Sequence, residues 1–127
     1  MKLLDTIVLV SAMNPDDKHH KTGMTHLKAL QSAEGVYVPT STLIEFDLVL
    51  RNNGYTETEI AETWTALSPF IGKKYLGNSP SAHLLAAQLR SKGLTYFDSL
   101  ITALAKETQS TVITRDAEIS KRIATEW

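Results

Sequence analysis

The chain has 127 residues, of which 43% are hydrophobic and 21% charged, and its net charge is −1. This length suits one domain with a buried core, which we predict over residues 1–127, and the composition argues against wholesale disorder. Cysteine is absent, which excludes disulfides, zinc-thiolate sites and a cysteine nucleophile. The N-terminal apolar run of about nine residues is too short for a membrane span and a poor signal peptide. We therefore expect a cytoplasmic protein without membrane contact.

The first part of the chain alternates apolar runs with a helical pattern. Residues 2–10 are a continuous apolar run interrupted by Asp5, which predicts a buried strand. The turn and helix-start signal at Asn14–Asp17 precedes a predicted helix that ends near Ala33. Val36–Val38 then predicts a short strand.

The middle of the chain is mainly helical in pattern. One helix is predicted from Thr40 to Asn53 and another from Thr56 to Leu67, with Ser68-Pro69 as its end. Lys74–Leu76 is ambiguous and fits a short strand. Ser79-Pro80 then provides an N-cap and a first helical residue, which predicts a helix up to Gly93.

In the last part of the chain, helical and strand patterns alternate again. Asp98–Glu107 has the strongest helical pattern, and Thr111–Thr114 predicts a strand of mainly β-branched residues. Asp116 is predicted to begin a short helix that contains Ile119 and Ile123. Strands alternating with helices predict an α/β fold, a three-layer α/β/α sandwich with a mostly parallel central sheet.

Four carboxylates lie at the predicted joins between strands and helices: Asp5, Glu45, Asp98 and Asp116. Sites in parallel α/β sheets lie outside the carboxyl ends of the strands, so all four should face one edge of the sheet. Repulsion among four converging negative charges nearly demands a divalent cation. With these acids set aside, the rest of the chain carries a charge of +3, which permits a polyanionic substrate.

Helix capping offers another explanation for three of these acids. Thr42 and Glu45 fit a capping box, and Asp98 and Asp116 would each serve as an N-cap. Asp5 differs from them, because capping does not explain a carboxylate within a strand. The shared location of the four acids favours a functional site.

The histidines do not form a recognisable metal site. His19, His20 and His26 lie on the first predicted helix without an i,i+4 pair, and His83 lies elsewhere. We interpret them as solvated or packed side chains. A glycine-rich phosphate loop is also missing from the sequence.

Four segments in this order resemble a PIN-domain nuclease, and most closely the VapC-type toxins of prokaryotic toxin–antitoxin pairs. They are Leu4–Leu9, Ser41–Glu45, Tyr96–Ala105 and Val112–Asp116. The resemblance spans nearly the whole chain. It implies a parallel-sheet α/β/α fold whose acidic site binds Mg²⁺ or Mn²⁺ and cuts RNA.

The resemblance also assigns roles to individual residues. It gives both catalysis and metal binding to the four acids, Asp5, Glu45, Asp98 and Asp116. Thr6 and Thr114 match the supporting hydroxyl residues, whereas Ile7 replaces the Asn or Ser that the family often has. Carboxylate oxygens are hard ligands that suit Mg²⁺ and Mn²⁺. We expect Asp5 and Asp98 to be the primary ligands and Arg115 to be among the residues that hold phosphates.

For this protein we therefore expect an RNA substrate, an antitoxin partner and a homodimer. The apolar stripe of Ile60, Trp64 and Leu67 fits a dimer or antitoxin surface, but core packing explains it better. Two other functions stay open. One is an inactive PIN-like module that binds RNA or protein, which Ile7 keeps open. The other is an acidic phosphatase or response-regulator-like domain, although paired acids at the first strand and a suitable lysine are missing.

Overall fold

Short strands and longer helices alternate along the chain in the computed structural model, which describes residues 1–127. The strands are β1 (Lys2–Leu4), β2 (Val36–Pro39), β3 (Tyr75–Leu76), β4 (Thr111–Ile113) and β5 (Thr125–Glu126). The helices are α1 (Thr6–Met13), α2 (His20–Ser32), α3 (Thr40–Asn52), α4 (Glu57–Ile71), α5 (Pro80–Ser91), α6 (Tyr96–Thr108) and α7 (Ala117–Ser120). None of these helices has both the length and the apolar character that crossing a membrane requires.

The five strands form one parallel sheet in the order β3-β2-β1-β4-β5. The first strand is central, with Lys2 opposite Val36 on one side and opposite Thr111 on the other. Successive side chains of a strand point to opposite faces, so Leu3 and Leu4 enter different cores. The prediction of an α/β fold with a parallel central sheet is confirmed.

Helices cover both faces of this sheet. The larger core lies between the sheet and helices α1 to α4, and Leu4, Leu27 and Phe46 are among its fully buried side chains. The core on the other face joins the sheet to α6 and α7, and α5 packs against the outer side of α6. Continuous burial on both faces explains why the strands are apolar runs rather than alternating ones.

The predicted strand over residues 2–10 is wrong after Leu4, where the chain turns into α1. Asp5 is the N-cap of this helix, and its side chain accepts the Thr6 N–H at 2.8 Å. Periodicity alone does not separate a buried strand from a helix that is apolar on most sides. Capping therefore does explain the position of Asp5, contrary to the interpretation from the sequence.

Three other boundaries differ from the prediction. Helix α4 continues through Pro69 to Ile71, because a proline removes one N–H but does not always end a helix. Helix α2 begins only at His20, after the turn that follows α1. Ile123 lies beyond α7, in the segment that leads to β5, a two-residue strand that the sequence analysis did not predict.

Most other predicted elements are confirmed. Strand β2 and helix α3 lie where expected, and Ser79 caps α5 by accepting the Ala82 N–H at 3.1 Å. Ile60 and Leu67 are buried in the larger core, with Trp64 packed against it. The core interpretation of that stripe is therefore confirmed.

Candidate active site

Asp5 is the single residue between β1 and α1, and hydrogen bonds of its backbone and its side chain hold it. Its backbone N–H donates to the Ile113 carbonyl at 3.1 Å, which ties it to the neighbouring strand. One carboxylate oxygen accepts the Thr6 N–H, and the other accepts the Thr114 hydroxyl at 2.6 Å. The residue is only 8% exposed. Its carboxylate is thus fixed at the carboxyl end of the central strand.

Thr114 connects two of the acids. Its hydroxyl donates to Asp5 and accepts the backbone N–H of Asp116 at 3.0 Å. Asp116 in turn caps α7, accepting the N–H groups of Glu118 at 2.8 Å and Ile119 at 3.0 Å. The predicted N-cap role of Asp116 is confirmed, and this role keeps its carboxylate beside the end of β4.

Glu45 lies half-buried on α3, more than one turn into the helix. The predicted capping box is wrong, because α3 begins at Thr40 and Thr42 is already inside it. The Thr42 hydroxyl donates to the Leu4 carbonyl at 3.0 Å instead. Glu45 accepts the hydroxyl of Thr6, so it is held by the residue that follows Asp5.

Asp98 lies in the first turn of α6, half-buried, rather than at its N-cap. The helix begins at Tyr96 with Thr95 as the N-cap, so the predicted cap role of Asp98 is wrong. A carboxylate in the first turn is favoured by the partial positive charge of the helix N-terminus. The helix therefore supports a negative charge at this point.

The carboxylates influence one another's protonation. The pKa of Asp5 is raised from 3.8 to about 6, mainly by burial and to a smaller extent by the charges of Glu45 and Asp98, against the lowering effect of the hydrogen bonds from Thr114 and Thr6. Burial raises the pKa of Glu45 as well, with smaller contributions from Asp98 and Asp116.

The pKa of Asp98 is raised in the same way, first by burial and then by the charges of Asp116 and Glu118. The structure thus brings Asp5, Glu45, Asp98 and Asp116 close enough to one another for their charges to interact. No three acidic or histidine side chains, however, lie together in an arrangement that would ligate one ion as they stand.

A cleft of about 300 Å³ opens beside these acids, lined by Asp5, Ile7, Thr114, Arg115 and Asp116. Arg115 forms no ion pair with the neighbouring carboxylates. Its guanidinium carbon lies 5.1 Å from the centroid of the Trp127 ring instead, in a cation–π contact. Nothing in the sequence pattern marked Trp127, because the contact depends on the course of the chain after α7.

The histidines do not contribute to this site. His20 Nδ1 is 3.0 Å from the Ser11 carbonyl, while His19 and His26 pack against Trp127. His83 is exposed on α5. This agrees with the interpretation of these side chains as packed or solvated.

A family model described as PIN domain matches residues 2–124. The chain belongs to the PIN domain family. The predicted family resemblance is confirmed, and a phosphatase or response-regulator-like domain is set aside. No curated protein sequence matches the chain.

Several solved structures are similar to this PIN domain. FitAcB from Neisseria gonorrhoeae has a TM-score of 0.75 and 23% identity, covering 98% of this chain and 96% of that one. VapBC2 from Rickettsia felis, bound to a DNA fragment from their promoter, has a TM-score of 0.76 and 18% identity, covering 99% and 98%. VapC20 from Mycobacterium tuberculosis, a sarcin-ricin-loop-cleaving toxin, has a TM-score of 0.71 and 15% identity, covering 95% and 94%. At these identities the likeness is one of fold.

Proposed function

We propose that this PIN domain is a metal-dependent endoribonuclease that hydrolyses RNA phosphodiester bonds at Asp5, Glu45, Asp98 and Asp116. The observation that carries this proposal is the electrostatic coupling of four carboxylates at the carboxyl edge of a PIN-domain sheet. Buried like charges destabilise one another, and a divalent cation among them would offset that repulsion.

The donor set suits Mg²⁺ or Mn²⁺, because every candidate ligand is a hard carboxylate oxygen. We assign Asp5 and Asp98 as primary ligands, with Glu45 and Asp116 binding directly or through water. Since three ligands are not in place together, binding requires side-chain rotation, for example of Glu45 away from Thr6. When bound, the ion would polarise the scissile phosphate and lower the pKa of a water molecule.

Other residues of this chain hold the four acids in position and would bind the substrate. Thr114 holds Asp5 and the backbone of Asp116 in fixed relation, and Thr6 holds Glu45. Arg115 would bind a phosphate of the RNA strand, because it lines the cleft and forms no ion pair with a carboxylate. Ile7 offers an apolar contact on the same wall.

We further propose that the protein is the toxin of a toxin–antitoxin pair, with an antitoxin protein as its partner. The support is the similarity in fold to VapC20, described as a toxin, and to VapBC2. A homodimer remains part of this proposal, and light scattering of the purified protein tests it. The stripe of Ile60 and Leu67 is not the dimer surface, because both residues are buried within one chain.

A PIN-like module without catalysis is the second candidate. Two observations favour it: an apolar Ile7 lines the cleft, and three ligands are not in place together. Such a protein would bind RNA or an antitoxin without cutting RNA.

Incubation of the purified protein with RNA separates these candidates. We expect cleavage with Mn²⁺ or Mg²⁺, none with EDTA, and a large loss of activity in Asp5→Asn. The matched control is Asp16→Asn, the same chemical change at an exposed acid in the turn after α1, which should cut normally. Cleavage that survives EDTA, or that is undiminished in Asp5→Asn, contradicts the proposal. If the protein binds RNAs that include a sarcin-ricin loop but cleaves none of them, the inactive module is favoured.

A further inference from the structure

A second groove of about 300 Å³ lies between α3 and α6 beyond the carboxyl end of β2, whereas the Arg115 cleft lies beyond the ends of β1 and β4. Each wall also carries one of the proposed catalytic acids. Ser41 in the groove is four residues before Glu45, on the same side of α3. Tyr96 is two residues before Asp98 in the first turn of α6, about 200° around the helix from it. The groove and the acidic site therefore share helices α3 and α6.

Tyr96 is the prominent side chain of this groove. It is 56% exposed, although its ring is supported from within the protein. Its ring meets Phe97 edge-on with centroids 5.3 Å apart, and the Arg90 guanidinium carbon lies 5.1 Å from its centroid. Arg90 is itself held by a hydrogen bond to the Ser99 hydroxyl at 2.8 Å. The ring is thus a supported flat surface that still faces solvent.

Polar groups line the same groove as this ring. The Asn78 amide nitrogen donates to the Leu100 carbonyl at 2.9 Å, which fixes the amide and leaves its oxygen available. His83 and Ser41 also line the groove and supply a ring nitrogen and a hydroxyl. An aromatic platform with donors and acceptors at its edge is how proteins bind unpaired bases of RNA.

We propose that this groove is a subsite for one unpaired nucleobase of a single-stranded or looped RNA, which stacks on Tyr96. The assignment rests on the proposed function, since it extends the path of a strand whose phosphate lies at the carboxylates. A base inside a duplex is already stacked on both faces, so the subsite selects RNA segments in which that base is unpaired.

The test uses a short single-stranded RNA that carries 2-aminopurine, whose fluorescence falls when the base stacks. Binding is measured in EDTA at low ionic strength, so that neither cleavage nor a bound metal affects the reading. We expect the wild type to quench the probe, and Tyr96→Leu to bind it roughly 5- to 100-fold more weakly. Tyr96→Phe keeps the ring and should bind within about twofold of the wild type.

Three controls make the result specific. Tyr55→Leu changes a comparably exposed tyrosine in a different groove and should bind like the wild type. In a second control, an RNA strand has an abasic site in place of 2-aminopurine, and a label at its end reports binding. This strand should bind the wild type and Tyr96→Leu equally well. The same probe in a duplex should not be quenched. If Tyr96→Leu fails to fold by circular dichroism, Tyr96→Trp replaces it and should quench at least as strongly as the wild type.

The outcomes separate this subsite from the nuclease proposal. Quenching that depends on Tyr96, in a protein that never cleaves RNA with Mn²⁺, supports the subsite and contradicts the nuclease. Metal-dependent cleavage with equal binding by wild type and Tyr96→Leu supports the nuclease and overturns the subsite. The absence of quenching by the wild type also overturns it.

Discussion

Replacing Asp5 with asparagine should stabilise the metal-free protein at neutral pH, although Asp5 is buried and hydrogen-bonded. Burial and the nearby charges raise the pKa of its carboxyl from 3.8 to about 6. This difference of roughly 2 pH units corresponds to about 3 kcal/mol at 1.36 kcal/mol per unit, an upper estimate of the cost of ionising it in the fold. Asparagine is neutral and avoids that cost.

Part of the gain is offset by hydrogen bonding. The asparagine oxygen can still accept the Thr6 N–H, but its amide nitrogen cannot accept the Thr114 hydroxyl, and losing that bond costs about 1 kcal/mol. We therefore expect Asp5→Asn to be about 1–2 kcal/mol more stable than the wild type above pH 7. The advantage shrinks as the pH falls below about 6 and is gone below about pH 3, where the wild-type carboxyl is protonated in both the folded and unfolded states.

Urea unfolding in EDTA between pH 4 and pH 8 measures this difference. The raised pKa means that the folded wild type holds its proton longer than the unfolded chain, so its stability falls as the pH rises from about 4 to 6. Asp5→Asn should show a smaller fall, because the raised pKa values of Glu45 and Asp98 still contribute, while Asp16→Asn should retain the full wild-type fall. A stability difference that does not change with pH would refute the reasoning. With Mn²⁺ at 100 times its dissociation constant, the free energy of unfolding of the wild type should rise by about 2.7 kcal/mol, and that of Asp5→Asn should rise by less.

Three further changes test other parts of the structure. Thr114→Val should destabilise the protein by about 1–3 kcal/mol in urea unfolding, because it leaves a carboxylate oxygen and a backbone N–H without a partner. Gly23→Ala should lower the free energy of unfolding by about 1–3 kcal/mol, since the new Cβ would lie 2.8 Å from atoms of α1. Gly77→Ala is the control, because its Cβ would meet only one atom at 3.5 Å and should be tolerated. Trp127→Leu should release Arg115 and so raise the KM for RNA a few-fold, with little change in kcat. Trp127→Phe keeps an aromatic ring and should have a KM closer to that of the wild type. A change confined to kcat would contradict a role of Trp127 in positioning Arg115.

The sequence predicted the layers of the fold better than the junctions between them. Helices and strands were recognisable from periodicity, and the parallel sheet followed from their alternation. The run after Leu4 was misread because α1 is buried on most sides, so its apolar pattern has no helical period to detect. Strand β5 has only two residues, which is too short for any pattern.

For the candidate site, the sequence predicted where the acids lie but not which residues hold them. The common location of the four acids followed from the rule that strand ends share one edge of a parallel sheet. What holds each acid did not follow, because Thr6 and Glu45 are separated by 39 positions and Thr114 and Asp5 by 109. Contacts across such distances depend on packing, which local patterns do not encode. The stack of Arg115 on Trp127 was missed for the same reason.

The central position of β1 has a consequence for synthesis on the ribosome. Lys2 pairs with Thr111, so one side of β1 has no partner until the chain has been translated through Thr111. At about 5–20 residues per second, the early segment waits several seconds before β4 emerges. Chains that stop before Thr111 also lack Thr114 and Asp116, and we expect prematurely terminated products to be unable to assemble the acidic site.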